Sequence, residues 1–306
     1  MQTYRGCALI GTGYWGSKLQ CYIEESPELH LHQVANSTTD LNTIWEDETI
    51  EAVVIATPID THATLTLDAL SAGKHVLVEK PLSTSPEECR TLQAIARSQG
   101  LTLLVDYVQC FATSILVALD HAKRSIGNVK YIEAETSHLG RYGMGFDVYW
   151  LLASHWLSVI DMIQPLDRYE WVSRDLLHNP TDRLATTGEI CGYTISGEPW
   201  ATIRVSTDTP GKRMAMTIYG SNGCLQWDGV NQPTITQTLH TRKPKALPQE
   251  LTHATLQEQH NERDNLRSVV RAFADCINFT LEGNSGRAVR VTAAIDEATG
   301  GTYDNP

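Results

Sequence analysis

Long apolar runs and metal-binding motifs are absent from the sequence. No apolar run reaches the ~20 residues that a membrane-spanning helix needs. The seven cysteines are scattered without a CxxC pair, and the eleven histidines include no HExxH-like ligand pair. We therefore expect no membrane partner, no metal site and no disulfide framework, and we interpret the cysteines as free thiols in a reducing compartment.

Positive charge is also scarce. Lysine and arginine together number 24 against 36 aspartate and glutamate residues, which gives a formal net charge of −12. A nucleic-acid surface needs a positive patch to bind phosphates, so nucleic acid is not an expected partner. An apolar strand starts almost at Met1 and leaves no room for a signal peptide, which favours a cytoplasmic location. The length of 306 residues favours two domains with separate cores.

The first third has the pattern of a dinucleotide-binding domain. A short apolar strand (residues 7–10) is followed by GTGYWG and then by a helical pattern. In a Rossmann fingerprint, Gly11 permits a tight turn, Gly13 lets a pyrophosphate approach the backbone, and Gly16 lets the helix pack on the strand. The alternative, a glycine-rich turn that only permits packing, is less consistent with this order of elements. The residues expected to contact a cofactor are Gly11, Thr12, Gly13, Tyr14, Trp15 and Gly16.

The stretch after the second strand departs from this fingerprint. An acidic residue is expected there to accept the ribose hydroxyls, but the sequence continues with Asn36 and Ser37. Asn36 can still hydrogen-bond a ribose, and no arginine is present to meet a 2′-phosphate, so the choice between NAD and NADP stays open. The 18 residues between Val34 and Val53 are too few for the usual helix, third strand and second helix. We predict a shortened Rossmann domain, with strand order 2-1-4-5-6 in the numbering of a complete fold and a trimmed adenosine pocket.

A lysine stands where a buried strand ends. The strand pattern KHVLVEKP closes on Glu79, Lys80 and Pro81. Since ligands bind at the carboxyl ends of strands in open α/β sheets, this lysine is a candidate for cofactor and substrate contact. The alternative is a surface lysine at a strand end.

The motifs GTGYWG, ATPIDTHA and VLVEKPLSTSPEE resemble those of the glucose–fructose oxidoreductase / inositol dehydrogenase (Gfo/Idh/MocA) family. The segment NVKYIEAETSHLGRYGMGFDVYWLLASHWLSVIDMI is similar to the one that carries the family's second catalytic motif, and the similarity extends over essentially the whole chain. Within the family, the pattern most resembles the branch that oxidises the C3 hydroxyl of nucleotide-linked uronic-acid sugars. The resemblance implies an α/β protein with a Rossmann domain (1–107) and a C-terminal α/β domain (108–306) built on a large, mostly antiparallel sheet.

The same resemblance implies hydride transfer between a nicotinamide and a hydroxyl or ketone of a sugar-like substrate. Lys80 matches the lysine that holds and polarises the substrate hydroxyl, and the Lys80–Pro81 peptide bond is expected to be cis. His155 matches the usual acid/base, a role that suits a side chain with a pKa near working pH. Arg141 is a candidate for binding a substrate anion, with a solvated loop as the alternative. The further cofactor contacts implied are Asn36, Ser37, Thr57, Pro58, His62, Glu79 and Lys80.

Several residues depart from the family pattern. Leu151 stands where W-D-L-x-x-H has its carboxylate, and a leucine can neither orient His155 nor take a proton. Asp106 and Cys110 stand after the last Rossmann strand, where glycine and polar residues are common. His155 also lies on an apolar helical run, where a lone histidine is often a satisfied core residue. The leading hypothesis is an NAD(P)-dependent oxidoreductase. The alternatives are a catalytically weakened relative that serves as a nucleotide-binding sensor or assembly subunit, and an enzyme that oxidises its substrate transiently during an elimination.

The C-terminal half contains a hairpin pattern. MAMTIYGSNGCLQW alternates apolar and polar residues on both sides of Ser221-Asn222, which predicts two strands with one apolar face. The resemblance implies a homodimer or homotetramer formed through this sheet. The alternative is a face covered by the protein's own helices.

Overall fold

The computed structural model forms two compact units. The first comprises residues 1–111 and 263–293, and the second comprises residues 112–262 and 294–306. The residues described are 4–140, 145–230, 233–239, 252–257 and 264–301.

The first unit is built on a parallel sheet with strand order β2-β1-β3-β4-β5. Its central strands have buried, apolar middle residues, as expected of strands covered on both faces. β2 instead alternates buried and exposed residues, which suits its place at the edge of the sheet. One four-residue helix, α2, connects β2 to β3, so the predicted shortened Rossmann fold and its strand order are confirmed. The strands are β1 (Arg5–Ile10), β2 (Leu29–Ala35), β3 (Ala52–Ile55), β4 (His75–Glu79) and β5 (Leu103–Asp106).

Four helices connect these strands. In α4, Ser85 precedes the first turn and its hydroxyl oxygen accepts a hydrogen bond from the Glu88 N–H at 3.3 Å, while Pro86 opens the helix. Gly100 closes the same helix in the left-handed conformation. The helices are α1 (Tyr14–Glu24), α2 (Asn42–Trp45), α3 (Ile59–Ser71) and α4 (Pro86–Gln99).

A returning helix completes the core of the first unit. The apolar residues of α7 (Asp264–Asn278) recur at helical spacing and are buried in one cluster with Leu9, Leu19 and Ile23. This packing moves residues 263–293 out of the predicted domain 108–306 and into the first unit, because an apolar helix face needs a partner surface. The α7 residues in the cluster are Leu266, Val269, Val270, Phe273, Ala274 and Ile277.

The chain after α7 covers the edge of β5. The Leu103 N–H donates to the Glu282 carbonyl oxygen at 3.0 Å. The Asn284 side chain then binds both backbone groups of Val105, accepting from its N–H at 2.7 Å and donating to its carbonyl oxygen at 2.8 Å. These bonds satisfy an edge that would otherwise present unpaired backbone groups. They also fix the carboxyl end of β5, where Asp106 lies.

The contribution of α7 can be tested at Phe273. Phe273→Ala should lower the free energy of unfolding by about 3 to 5 kcal/mol, because a fully buried ring leaves a cavity in the core. Phe279→Ala is the matched control, since Phe279 lies one residue beyond α7 and is 71% exposed. Urea unfolding of both variants measures the difference. Equal, small losses would mean that α7 does not belong to the core of the first unit.

The second unit contains a large sheet of eight strands among the described residues, in the order β13-β12-β11-β10-β6-β9-β8-β7. β6 and β9 pair in parallel and all other neighbours are antiparallel, which confirms the predicted mostly antiparallel sheet. Gly220 pairs with Gly223 across the predicted hairpin turn. The strands are β6 (Val129–Leu139), β7 (Glu170–His178), β8 (Ala185–Tyr193), β9 (Pro199–Ser206), β10 (Asp208–Gly220), β11 (Gly223–Asp228), β12 (Thr234–Leu239) and β13 (Thr252–Gln257).

The second unit includes the helices α5 (Thr113–Ser125) and α6 (Ser154–Ile163). A further helix, α8 (Ser285–Thr299), begins in the first unit and ends in the second, because the division falls between residues 293 and 294. α5 packs on the hairpin through a hydrogen bond from the Trp227 indole N–H to the Ser114 hydroxyl at 3.1 Å. One face of the hairpin is therefore covered by the protein's own helix.

Candidate active site

The glycine loop of the first unit leaves no space for side chains at two positions. Gly11 has a φ of 108°, and a Cβ atom there would lie 2.3 Å from the carbonyl oxygen of Ala56. A Cβ atom at Gly16 would lie 2.0 Å from the carbonyl oxygen of Gly11. The loop can therefore make its turn, and α1 can approach it, only with glycine at both positions.

The outer side of the loop is open at Gly13. A Cβ atom there would meet nothing within 4 Å, and Gly13 precedes the first residue of α1. Because Gly13 has no side chain, the N–H groups of the first turn are not capped by it, and this turn contains no acidic residue. An uncapped helix N-terminus beside an open backbone fits the pyrophosphate of a dinucleotide. The residues present thus fit NAD or NADP.

Two aromatic residues follow Gly13. Tyr14 and Trp15 are about half exposed, and their rings meet edge to face at 5.1 Å between centroids. Lys18 donates from Nζ to the Tyr14 hydroxyl at 2.8 Å and lies 5.0 Å from the Trp15 ring centroid. The start of α1 therefore combines a cation with two aromatic faces, a surface suited to an anionic, ring-containing ligand.

Asn36 and Ser37 follow β2 on the surface, as predicted from the sequence. The Asn36 side-chain oxygen accepts hydrogen bonds from the N–H and the hydroxyl of Thr38, at 2.9 and 2.8 Å. These bonds hold Asn36 in a local turn at the carboxyl end of the strand, where a ribose would be recognised.

Thr57 and Pro58 follow β3, and Lys80 and Pro81 follow β4, at the same edge of the sheet as the glycine loop. The predicted cis bond between Lys80 and Pro81 is confirmed. Buried His62 links the two turns, since its Nδ1 lies 2.7 Å from the Pro81 carbonyl oxygen and its Nε2 lies 2.9 Å from that of Thr57. Both ring nitrogens thus face backbone oxygens, and His62 holds the two turns together.

Three titratable groups meet at the ends of β4 and β5. Glu79 and Asp106 are paired across the two strands, and Lys80 follows Glu79 directly. Burial lowers the pKa of the Lys80 ammonium, and the two carboxyl groups partly oppose this effect. Burial raises the pKa of Glu79 to about 7, against the attraction of Lys80. A partly buried lysine with a lowered pKa can exchange a proton closer to neutral pH than an exposed one.

Asp106 is the site residue that the sequence-based prediction did not include among the contacts. It stands at the last position of β5, level with Glu79. An acidic residue closing an otherwise apolar strand was the available signal, but only the strand register places it beside Glu79 and Lys80.

His155 lies in the second unit, at the second position of α6 and partly buried. A π-helical turn, Tyr149–Ala153, runs directly into this helix and contains Leu151. Such turns are rare in proteins, and those that occur are often found at functional sites. The side chain of Asp147 caps the turn by accepting a hydrogen bond from the Tyr149 N–H at 2.9 Å, and burial raises the pKa of Asp147 to about 6.

The Tyr149 hydroxyl donates to an oxygen of Asp175 at 2.8 Å. Asp161 is buried and accepts a hydrogen bond from the Leu166 N–H at 3.3 Å, which makes it a structural carboxylate. The predicted Arg141 lies outside the described residues.

In the part of the chain that the structure describes, no helix is long and apolar enough to cross a membrane. The same residues contain no cluster of three or more His, Cys, Asp or Glu side chains that could hold a metal ion.

The sequence of the first unit matches a known family. Residues 24–107 match the Gfo/Idh/MocA model, described as an oxidoreductase family with an NAD-binding Rossmann fold. The uncharacterized oxidoreductase YdgJ of Escherichia coli (strain K12) is 34% identical over 128 residues, which cover 38% of this chain and 36% of YdgJ. The chain thus matches about a third of the length of these curated relatives. The predicted resemblance is confirmed. The glycine loop precedes the matched region, so its assignment to dinucleotide binding rests on the loop geometry described above.

Solved structures share the fold over nearly the whole chain. KijD10, a 3-ketoreductase from Actinomadura kijaniata in complex with NADP and TDP-benzene, has a TM-score of 0.81 at 18% identity, covering 98% of each chain. The UDP-N-acetylglucosamine 3-dehydrogenase GnnA from Acidithiobacillus ferrooxidans also has a TM-score of 0.81, at 20% identity over 97% of each chain. At these identities the likeness shows the fold alone, and it confirms the predicted fold class.

Proposed function

We propose that this chain, whose residues 24–107 carry the NAD-binding Rossmann fold of the Gfo/Idh/MocA oxidoreductases, transfers a hydride between a nicotinamide cofactor and a hydroxyl or ketone of a sugar-like substrate. The observation that carries the proposal is the position of Lys80. Its partly buried ammonium group directly follows β4, at the same sheet edge as the open glycine loop and the uncapped start of α1. This edge is where open α/β sheets bind their ligands.

NAD or NADP, when bound, would supply the hydride acceptor or donor. The Gly13 backbone and the first turn of α1 would hold its pyrophosphate, and Asn36 and Ser37 would face its ribose. Lys80 would bind the substrate oxygen and stabilise the negative charge that develops on it. His155 is proposed as the acid/base, as the resemblance implies, since a histidine can exchange protons near neutral pH.

The finer assignment is a nucleotide-linked sugar oxidised or reduced at C3. It is supported by the resemblance to that branch and by two proteins that share the fold, the 3-ketoreductase KijD10 and the UDP-N-acetylglucosamine 3-dehydrogenase GnnA. A homodimer or homotetramer through the sheet of the second unit and a cytoplasmic location remain predictions from the sequence.

Leu151 favours a second candidate, a nucleotide-binding sensor or assembly subunit without turnover. The side chain lies within the π-helical turn before His155, where the family pattern has a carboxylate. A protein of this kind would bind the cofactor and show no activity on any sugar. Cofactor binding alone supports both candidates, and turnover separates them.

The first test is a titration with NADH and NADPH. Trp15 is 48% exposed and follows Gly13, so its fluorescence should transfer energy to a bound reduced nicotinamide. We expect micromolar affinity, or about −8 kcal/mol. Trp15→Phe is the control, because it should remove much of the energy transfer while calorimetry still detects binding. Absence of binding at millimolar NADH and NADPH, in folded protein, would contradict both candidates.

A further inference from the structure

Asp106 is a buried carboxyl group with an unusual environment. The residue is 2% exposed, and neither carboxyl oxygen has a hydrogen-bond partner among the described residues. Burying an ionised carboxylate without hydrogen bonds is strongly unfavourable, and such a group takes up a proton instead. The family resemblance assigns no role to this position.

The backbone keeps this carboxyl group inside. Asn284 binds both backbone groups of the preceding residue, Val105, and Tyr107 on the other side is fully buried. The pairing of β4 with β5 sets Asp106 level with Glu79. The charged groups that act on Asp106 in the described part of the chain are Glu79 and Lys80.

The balance of charge favours one neutral carboxyl group in this cluster, and hydrogen bonding favours Asp106 as that group. The Glu79 carboxylate accepts a hydrogen bond from the Lys80 backbone N–H at 3.3 Å, whereas neither oxygen of Asp106 has a partner among the described residues. With Lys80 as an ammonium and Glu79 as a carboxylate, a neutral Asp106 gives the cluster no net charge. Ionising Asp106 as well would leave a net negative charge in a buried site, which desolvation opposes. Burial and the neighbouring Glu79 both raise the pKa of Asp106 well above its usual range, while Lys80 acts in the opposite direction.

We infer that Asp106 stays protonated at neutral pH and supplies the proton that restores the Lys80 ammonium in the proposed active site. Asp106 acts through Lys80, so it is a positioning residue. The inference rests on the proposed function.

In ketone reduction, the substrate carbon receives the hydride, and Lys80 gives a proton from Nζ to the substrate oxygen in place of His155, whose carboxylate partner in the family pattern is replaced by Leu151. The neutral Lys80 amine then moves within hydrogen-bond distance of Asp106 and takes its proton, since catalytic hydrogen bonds often tighten only in the reacting complex. This step restores the ammonium and leaves the Asp106 carboxylate to be reprotonated from water.

This role compensates for the missing carboxyl group at position 151. Leu151 cannot give or take a proton, whereas Asp106 places an acidic proton near the lysine that the proposed reaction uses. In the direction of alcohol oxidation, the same groups run in reverse, so Lys80 takes the hydroxyl proton and the Asp106 carboxylate receives it.

Carbon-13 NMR of protein labelled at the aspartate carboxyl carbon tests the inference without substrate. We expect one aspartate signal to remain at the protonated position at about pH 7.5, where an ordinary aspartate with a pKa near 3.9 is ionised, and where Asp147, whose pKa is raised to about 6, is ionised as well. Asp106→Asn should remove that signal, and Asp68→Asn, a change at an exposed position on α3, should leave it. Should Asp106→Asn fail to fold, Glu79→Gln must shift the midpoint of the same signal to lower pH.

Trace acetylation of Lys80 tests the connection between the two residues. At a pH above the midpoint of the Asp106 NMR signal, where that group is a carboxylate, Asp106→Asn should increase the acetylation of Lys80 by about threefold or more, because a nearby carboxylate favours the ammonium form. Asp68→Asn should leave it unchanged. Equal acetylation in all three proteins at that pH, or the absence of a protonated aspartate at about pH 7.5, would overturn the inference. Titration of the same samples with NADH separates this result from a failure of the proposed function.

Discussion

Lys80→Met should lower turnover by about 10³-fold, a far larger effect than any weakening of NADH binding through the lost cofactor contact. Methionine matches the length of the aliphatic stem of lysine and fills a partly buried position, so the change removes the ammonium with little change in packing. The lost group is the one that stabilises charge on the substrate oxygen. The measurement is kcat/KM with the substrate that the sugar and nucleotide-sugar screen identifies, together with the NADH titration.

Lys74→Met is the matched control for this variant. Lys74 precedes the same strand, β4, at its amino end, and its Nζ donates to the Asp47 carbonyl oxygen at 2.8 Å. Since ligands of parallel sheets bind at the carboxyl ends of the strands, losing Lys74 should affect stability but not turnover. Retention of more than about a tenth of the activity in Lys80→Met would show that Lys80 is a structural lysine at a strand end.

The second large effect concerns the glycine loop. Gly16→Ala should abolish measurable NADH binding, a loss of at least about 100-fold, or about 2.7 kcal/mol. The new methyl group would lie 2.0 Å from the Gly11 carbonyl oxygen, so the loop must move away from the start of α1. Part of the stability of the first unit should be lost with it. Calorimetric NADH titration and thermal unfolding measure the two effects.

Gly13→Ala separates binding from folding in the same loop. A Cβ atom at Gly13 meets nothing within 4 Å, so the free protein should unfold as the wild type does, whereas the pyrophosphate should lose its close approach to the backbone. Gly211→Ala, also unobstructed but in the second unit, should change neither property. Wild-type NADH affinity in both Gly16→Ala and Gly13→Ala would mean that the loop has only a packing role.

Local patterns predicted the features that neighbouring residues determine. The order of strand, glycine loop and helix at the chain start specified the parallel sheet, and the short stretch between β2 and β3 specified the missing edge layer. The amphipathic pattern of α7 predicts a buried face but carries no information about its partner. The contact of α7 with the first unit therefore appeared only in the structure.

The candidate site was predictable to a smaller extent, for two physical reasons. The environment of Asp106 depends on the register of β4 against β5, which the sequence does not specify. The apolar pattern around His155 predicts a regular helix, but the turn from Tyr149 to Ala153 is π-helical, and it changes the angles at which its side chains point.

The two hydrogen bonds between the Asn284 side chain and the Val105 backbone join residues that are 179 positions apart in the sequence. A ribosome that adds about 5 to 20 residues each second needs roughly 10 to 35 seconds to make that stretch. During this interval the nascent chain has an open strand edge at β5, and the core of the first unit lacks α7. The unit that carries the glycine loop and Lys80 is thus the first to be started and cannot be finished until most of the second has been synthesised. Its nascent form exposes the kind of surface that chaperones protect.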